Sequence, residues 1–460
     1  MSKAAQEKIS PAFEPFLSES GNNDKRDAIV IYRAASNALP PLRGRLRSLK
    51  EKLDDIAARA SIQSATHQQI QAQLFEIYGR ESRRRMPKNK PQDLAMSGIG
   101  SAAMPVAAME VTRATLPALA EQPDVVAVLP NQRVSLIRPK EVDYTELNSA
   151  EAKAGCTWGL QELGIPEIWE RTRGGEINVA VLDTGVYGGH PALAGRVKGF
   201  VMVDPLGRRI ETSTSFDAGR HGTHVCGTIA GGKAGSGVSI GVAPEAQLLV
   251  GAVLVGEASL RTIFEGLSWA IEQGADIINL SLGLQYYEPQ FALVFDMLIE
   301  QYGILPIAAI GNENHGNTSS PGNARNAFSV GALEKLSAKK LDVAPFSSGA
   351  SLYFPEEEPS LIHKPDVVAP GVQVYSCIPP EKRPSGVYEY TYMDGTSMAT
   401  PHTAGVAALL MSACPEAEPE RFIQVLKDTA RHPQGAAKRP DNRWGYGLIQ
   451  PLEALKALTS

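Results

Sequence analysis

Four short runs of this chain are apolar almost from end to end: Ile177 to Leu182, Gln247 to Val253, Asp276 to Ser281 and Leu305 to Ile310. A strand with one wet face alternates apolar and polar residues, and these runs do not alternate, so each must be covered on both sides. Between the later runs, Arg261 to Gln273 and Phe291 to Tyr302 carry apolar residues at helical spacing. Strands and helices in such alternation predict an α/β fold, a doubly wound and mainly parallel sheet with helices on both faces. A sheet of that kind presents its functional residues beyond the carboxyl ends of its strands. The alternation starts near Trp158 and assigns residues 158–460 to one large domain.

With 460 residues, 43% of them hydrophobic, the chain can fill that core and a smaller one besides. Ala28 to Tyr32 reads as a strand, Leu42 to Tyr78 as a helix or helical hairpin, Met104 to Val111 as a strand, Thr112 to Glu121 as a helix and Asp124 to Pro130 as a strand. Together they predict a small α+β unit over residues 27–139. Residues 1–26 are polar and patternless and predict a flexible tail, and the charged stretch 140–157 predicts a linker. The basic run Arg80, Arg83, Arg84, Arg85, Lys88 and Lys90 reads as a solvated loop, with a protease-sensitive site or a patch for an acidic partner as alternatives. Ala350 to His363, with Glu356, Glu357 and Glu358 between two prolines, also reads as a solvated loop.

Composition removes several classes of function. A net charge of -5 and a pI near 6.0 point away from nucleic acid as a partner. No apolar run reaches the roughly 18 residues a membrane span requires. Cys156, Cys226, Cys377 and Cys414 are scattered, which predicts free thiols rather than a disulfide framework or a zinc site. No apolar stretch follows the N-terminal charges as in a secretory leader, so the expected location is cytoplasmic. Export without a leader would leave the same sequence.

Four motifs carry chemistry. The first long run ends directly in Asp183-Thr184-Gly185, which puts a carboxylate, or simply a turn-forming Asp, at the sheet's carboxyl edge. His221-Gly222-Thr223-His224 opens a small-residue helix after a glycine-rich loop. His221 and His224 share a helical face, but without a Glu base or a third ligand they make poor zinc grammar. A histidine base held in one tautomer by Asp183 explains more of the residues. Gly311-Asn312-Glu313 ends another strand with an amide that suits either a turn or a developing oxyanion. Ser397, between Gly395 and an apolar helix, suits either a helix cap or a nucleophile.

Taken together in the order Asp, His, Asn, Ser, these blocks resemble the signature segments of subtilisin-like serine peptidases, the subtilases. The resemblance runs over roughly Trp158 to Leu458 and includes Ser281-Leu282-Gly283 and Lys364-Pro365-Asp366-Val367-Val368-Ala369-Pro370-Gly371. It implies that Ser397 attacks a peptide carbonyl, His221 carries the proton, Asp183 orients His221 and Asn312 donates to the oxyanion. Ser281, Leu282, Gly283 and Gly311 would line the substrate cleft, whose small and polar walls admit an apolar side chain without selecting one. The substrate would be a protein or peptide. A non-catalytic member that uses the fold for binding is the alternative, although such proteins usually lack a catalytic residue and all four are present here.

The same resemblance makes residues 27–139 similar to the family's inhibitory propeptide, an intramolecular partner whose last segment occupies the cleft, with processing between Arg138 and Cys156. The Leu42 to Tyr78 segment is longer than such units carry, which leaves room for a regulatory domain that is never removed. One departure concerns calcium. Many relatives have a calcium-binding Asp after His-Pro, but here His190-Pro191 is followed by Ala192, and Gly231 to Gly237 offers no carboxylate or amide side chain. No cofactor is therefore expected, and the usual strong calcium site is expected to be absent while others stay open.

Overall fold

The computed structural model describes residues 2–21, 24–33, 49–62, 97–99, 104–140, 146–354, 361–384 and 386–459, with single positions between them. The basic run from Arg80 to Lys90, residues 42–48 and most of 63–78 of the segment read as Leu42 to Tyr78, and Glu356 to Glu358 lie outside the described residues.

The N-terminal unit is built on β1 (Lys25–Tyr32), β2 (Ser97–Gly98), β3 (Val106–Thr112) and β4 (Val125–Pro130), an antiparallel sheet in the order β2-β3-β1-β4. Alternation along β1 decides what each face meets. Ala28, Val30 and Tyr32 pack with Leu116 and Leu119 of the helix Thr115–Ala120. Ile29 and Ile31 face the other way, joined by Ile56 of the helix over residues 49–62. They pack with Leu260, Ile263, Phe264, Leu267, Val294 and Phe295 of the large domain. The two units therefore share one apolar core, and Lys52 adds an ion pair to Asp276 (3.0 Å).

The tail predicted for residues 1–26 is corrected. Lys3–Glu7 and Glu14–Glu19 are helical, and Ala5, Ile9 and Phe13 are buried against the sheet. Val128 accepts from Ser10 N–H and donates to the Lys8 carbonyl, so the segment covers the open edge of β4. Ala5, Ile9 and Phe13 recur every fourth residue, but breaks at Ser10-Pro11 keep so short a set from reading as one element, and the sheet and edge they cover give them a place. The linker predicted over 140–157 is corrected in its second half. Ser149–Ala154 is a helix capped by Asn148, and its buried Glu151 accepts from the Tyr392 hydroxyl and the Trp158 N–H.

In the large domain the expected parallel sheet is present. After β5 (Ser135–Leu136) come β6 (Asn178–Asp183), β7 (Val197–Val203), β8 (Arg209–Ile210), β9 (Gln247–Ala252) and β10 (Ile277–Leu280). Then follow β11 (Leu282–Gly283), β12 (Leu305–Ala309), β13 (Phe328–Ser337) and β14 (Lys340–Val343). Among the described residues the main sheet runs β14-β13-β12-β10-β6-β9-β7-β8, with Val367–Pro370 also pairing with β13. Val179 and Val181 face one core and Ala180 and Leu182 the other, which is why β6 reads as continuously apolar. The helices Leu260–Glu272 and Phe291–Asp296 cover one side; His221–Ala230 and Thr396–Ala413 cover the other.

A buried ion cluster ties β13 to the segment after it. Lys364 Nζ donates to the Ala327 carbonyl (2.6 Å) and to Asp366 (2.8 Å), while Lys427 holds the other Asp366 oxygen (2.7 Å). Burial alone would raise the Asp366 pKa, but the two ammonium charges outweigh it and hold the carboxyl well below its usual range. The loop predicted at Ala350 to His363 is corrected too: Ala350–Tyr353 and Leu361–Lys364 pair as an antiparallel hairpin. Among the described residues no helix is long and apolar enough to cross a membrane.

Candidate active site

The carboxyl edge of the sheet brings the candidate residues together. Asp183 is the last residue of β6 and has no solvent exposure. Its two oxygens lie 2.8 and 2.9 Å from His221 Nδ1, and the first also accepts from Thr184 N–H (2.7 Å). A carboxylate facing Nδ1 takes a hydrogen from it, which in the neutral ring leaves the lone pair on Nε2. His221 is the first residue of its helix, which fits closely against the turn after Asp183. A Cβ on Gly222 would sit 2.0 Å from the Gly185 carbonyl oxygen, so only glycine allows this approach.

Ser397 lies in the first turn of Thr396–Ala413, and Gly395 holds the cap position, so the helix-cap reading of Ser397 falls away. Asn312 follows Gly311, which takes a φ of +118° where β12 turns out of the sheet. Its Oδ1 accepts from both Thr396 N–H and Thr396 Oγ1 (2.9 Å each), which fixes the amide and points Nδ2 into the cleft.

The N-terminal unit enters this cleft. Residues 132–140 run between two segments of the large domain: Val134 N–H donates to Ala258, and Leu260 N–H donates to Gln132. Leu136 and Ser135 of β5 pair antiparallel with Leu282 and Gly283 of β11. Ile137 is buried, with its Cδ1 3.7 Å from where a Cβ on Gly283 would stand. Ser397 Oγ donates to the Ile137 carbonyl at 3.0 Å and lies 3.4 Å from that of Ser281. Asn312 Nδ2 donates to the Arg138 carbonyl (2.9 Å), and Lys140 N–H to that of Asp394 (2.7 Å). His221 Nε2 is buried with no hydrogen-bond partner.

Asn312, Ser397 and Ser281 to Gly283 therefore meet along the strand in the cleft, and Asp183 and His221 form a pair at the carboxyl end of β6. Asp217, which the motifs did not single out, also belongs there. Its carboxylate accepts from Thr184 Oγ1 (2.6 Å), Thr223 N–H (2.8 Å) and Thr223 Oγ1 (2.6 Å), tying the Asp183 turn to the first turn of the His221 helix. Its one visible signal is an acidic residue in the polar loop just before a helix start.

His224 is engaged elsewhere than at a metal: its Nε2 hydrogen-bonds the Val374 and Thr391 carbonyls (3.0 and 3.2 Å). Burial pushes its pKa down to about 3, with His221 adding to the effect, and burial likewise lowers His402 to about 4. Both histidines would titrate near 6.5 in an unfolded chain. As pH falls below that value the unfolded chain gains protons that the folded one refuses, so stability declines from pH 6.5 toward 4. Glu151 and Glu288, raised by burial, act in the opposite sense. Thermal midpoints should fall between pH 7 and pH 4, and His224→Gln should flatten that slope; an equally steep slope in the variant would count against the assignment.

Comparison with known proteins places this geometry. A family model described as the subtilase family matches residues 174–447. The chain belongs to the subtilase family. It is 32% identical over 356 residues to fervidolysin of Fervidobacterium pennivorans, covering 72% of this chain and 48% of that protein. It is 35% identical over 338 residues to an alkaline protease of Shouchella clausii, covering 70% of this chain and 78% of the other. Subtilisin Savinase of Lederbergia lenta is 36% identical over 306 residues, covering 65% of this chain and 98% of its own length. This subtilase thus spans about half the length of fervidolysin. The crystal structure of fervidolysin, titled a keratinolytic enzyme related to subtilisin, superposes with a TM-score of 0.65 at 24% identity. It covers 95% of this chain and 62% of that one, so the likeness of fold takes in the N-terminal unit as well as the large domain.

Proposed function

We propose that this subtilase is a serine endopeptidase made as a self-inhibited zymogen, with Ser397 as nucleophile, His221 as general base and acid, and Asp183 as its orienting partner. One observation carries the reading: Ser397 Oγ and the Asn312 amide already hold neighbouring main-chain carbonyls of one strand, and a buried carboxylate holds the His221 imidazole through Nδ1. In a substrate complex the Ser397 oxygen attacks the carbonyl carbon and its proton passes to His221 Nε2. The oxygen takes the charge against Asn312 Nδ2, and His221 then protonates the departing nitrogen. Water releases the acyl group in a second passage of the same steps. The cleft presents Ser281, Leu282 and Gly283 as an edge for an extended peptide, with room for an apolar side chain before the bond that breaks.

Residues 27–139 act as the inhibitor. Support for this comes from the apolar core they share with the large domain and from the strand that fills the cleft. Release follows a cut within residues 140–157. The test is hydrolysis of casein, with mapping of a fluorophosphonate label, before and after limited trypsin treatment. Label on Ser397 that rises as the N-terminal fragment is lost supports the reading; casein left intact after that fragment is removed would overturn it.

The loop by Ala192 does not fit calcium. Ala192 contributes a methyl group, its carbonyl is taken by Gly232 N–H (2.8 Å), and the Lys233 side chain brings positive charge. Among the described residues no group of three or more His, Cys, Asp and Glu side chains is gathered for a metal. A chelator should leave the thermal midpoint of the chain unchanged, and a drop of several degrees would show that a bound cation does contribute.

A further inference from the structure

The pairing in the cleft sets a register that runs past β11. Leu136 faces Leu282 and Ser135 faces Gly283, so each step back along the bound strand is one step forward along the chain opposite it. Ile137 then lies opposite Ser281, and Gln132 falls opposite Tyr286, with the next residue upstream opposite Tyr287. The contacts at that end agree: the Gln132 side chain reaches the Tyr286 side chain, while its carbonyl accepts from Leu260 N–H on the other wall. Count the residue opposite Ser281 as the first before the bond that breaks. A substrate that fills the cleft as this strand does brings its sixth and seventh residues to two tyrosines.

The chain that carries them is fixed. Ser320 N–H donates to the carbonyls of Leu284 (2.9 Å) and Tyr286 (3.2 Å), Asn323 Nδ2 to that of Tyr286 (3.3 Å), and Glu288 N–H to Ser320 Oγ (2.8 Å). Ser320 and Asn323 are both buried, so the loop 284–288 is tied to the interior rather than left to move. Tyr287 meets Phe354 edge to face, with ring centroids 5.4 Å apart. Phe354 directly follows Ala350–Tyr353, the first strand of the hairpin, and is itself buried. Tyr286 and Tyr287 nevertheless stay 36% and 39% exposed. Aromatic rings held open on a fixed loop, in line with an edge that pairs with an extended chain, offer that chain further contact area. The N-terminal segment reaches the same loop, where Ser10 Oγ donates to Glu288 (2.8 Å), so this surface is continuous with the one the N-terminal unit already covers. The bound strand sets a polar glutamine against it rather than a ring.

We propose that Tyr286 and Tyr287, with Phe354 packed against Tyr287, bind the sixth and seventh substrate residues before the bond that breaks and favour aromatic side chains there. The cleft then reads a longer stretch than Ser281 to Gly283 can pair, and an extended polypeptide with apolar residues upstream is taken ahead of a short peptide. The proposal rests on the reading of Ser397 as nucleophile. Residues so far from the reacting carbonyl are held equally in substrate and transition state, so the contact lowers KM and leaves kcat.

The experiment uses trypsin-released wild-type enzyme and quenched fluorescent peptides that share the five residues before the cut and all residues after it. They are extended upstream by Gly-Gly or by Phe-Phe, and the cut is located by mass. The Phe-Phe peptide should exceed the Gly-Gly peptide in kcat/KM by about tenfold, through KM, the size expected of one or two aromatic contacts. Tyr286→Ala with Tyr287→Ala should bring that ratio below about twofold, and Tyr286→Phe with Tyr287→Phe should restore it, since the rings carry the contact. Thermal midpoints near that of wild type confirm that both double variants are folded. Equal rates on the two peptides in wild type would overturn the proposal, as would a ratio that survives the alanine variant. Binding of labelled Phe-Phe and Gly-Gly peptides to the trypsin-released Ser397→Ala chain, followed by fluorescence anisotropy, reads the same contact without the chemistry. Tighter binding of Phe-Phe there, in a protein whose wild type takes no fluorophosphonate, would uphold the surface and remove Ser397 as nucleophile. Equal binding of the two would remove the surface whatever the label shows.

Discussion

A chain with Ser397→Ala should hydrolyse casein about 10⁶-fold more slowly than wild type when both have been freed of the N-terminal fragment, the loss known for the same group in subtilisin, a member of this family. That factor corresponds to about 8 kcal/mol of activation free energy. Its cost in stability is far smaller. The buried hydroxyl bonds the Ile137 carbonyl and approaches that of Ser281, so its removal forfeits one ordinary hydrogen bond of about 1 kcal/mol. A folded protein without activity is therefore expected, rather than an unfolded one. The measurements are casein and peptide turnover with the thermal midpoint alongside. A variant within tenfold of wild type in turnover would remove Ser397 from the chemistry.

The second large effect belongs to Asp183. Asp183→Asn keeps the shape but replaces one accepting oxygen with a donor amide. The carboxylate now takes a hydrogen from His221 Nδ1 and another from Thr184 N–H, and an asparagine oxygen can satisfy only part of that set. Thr184 N–H is a fixed donor, while the imidazole can move its proton. The expected result is a His221 with hydrogen on Nε2 and a lone pair on Nδ1 facing the new amide, which leaves no base toward Ser397. A loss of about 10⁴-fold in kcat is expected, as for the wrong tautomer in another serine protease. A rise in rate at alkaline pH should distinguish this from simple disruption, because hydroxide can take the serine proton without His221. If Asp183→Asn stays within tenfold of wild type, the carboxylate does not set the tautomer.

The sequence carried these sites because their chemistry is written in short contiguous blocks. Asp183-Thr184-Gly185 and Ser397 within its glycine turn each place a reactive side chain by local rules, a strand end or a helix start, and the two-sided burial of β6 and β10 is visible as unbroken apolar runs. Other parts had no such signal. Asp217 acts by joining Thr184 to Thr223 across a loop, and nothing in its neighbourhood marks it as an acceptor for both. Ile9 and Phe13 looked like strays in a polar tail because the surface that buries them comes from β4 and the helix after β3.

The family, the sheet, and the residues that would make and break the bond follow from the sequence alone, since strand burial and glycine turns are local consequences of side-chain type. That the Ser397 hydroxyl bonds the Ile137 carbonyl inside the cleft was decided only in three dimensions. Residues 132–140 read only as the end of a small α+β unit until the fold anchors them, at Leu282 and Gly283 on one wall and at Asp394 on the other. The position of a carbonyl relative to two fixed groups depends on how many residues lie between anchors that are far apart in sequence. That count acquires meaning only when the tertiary fold brings the anchors together.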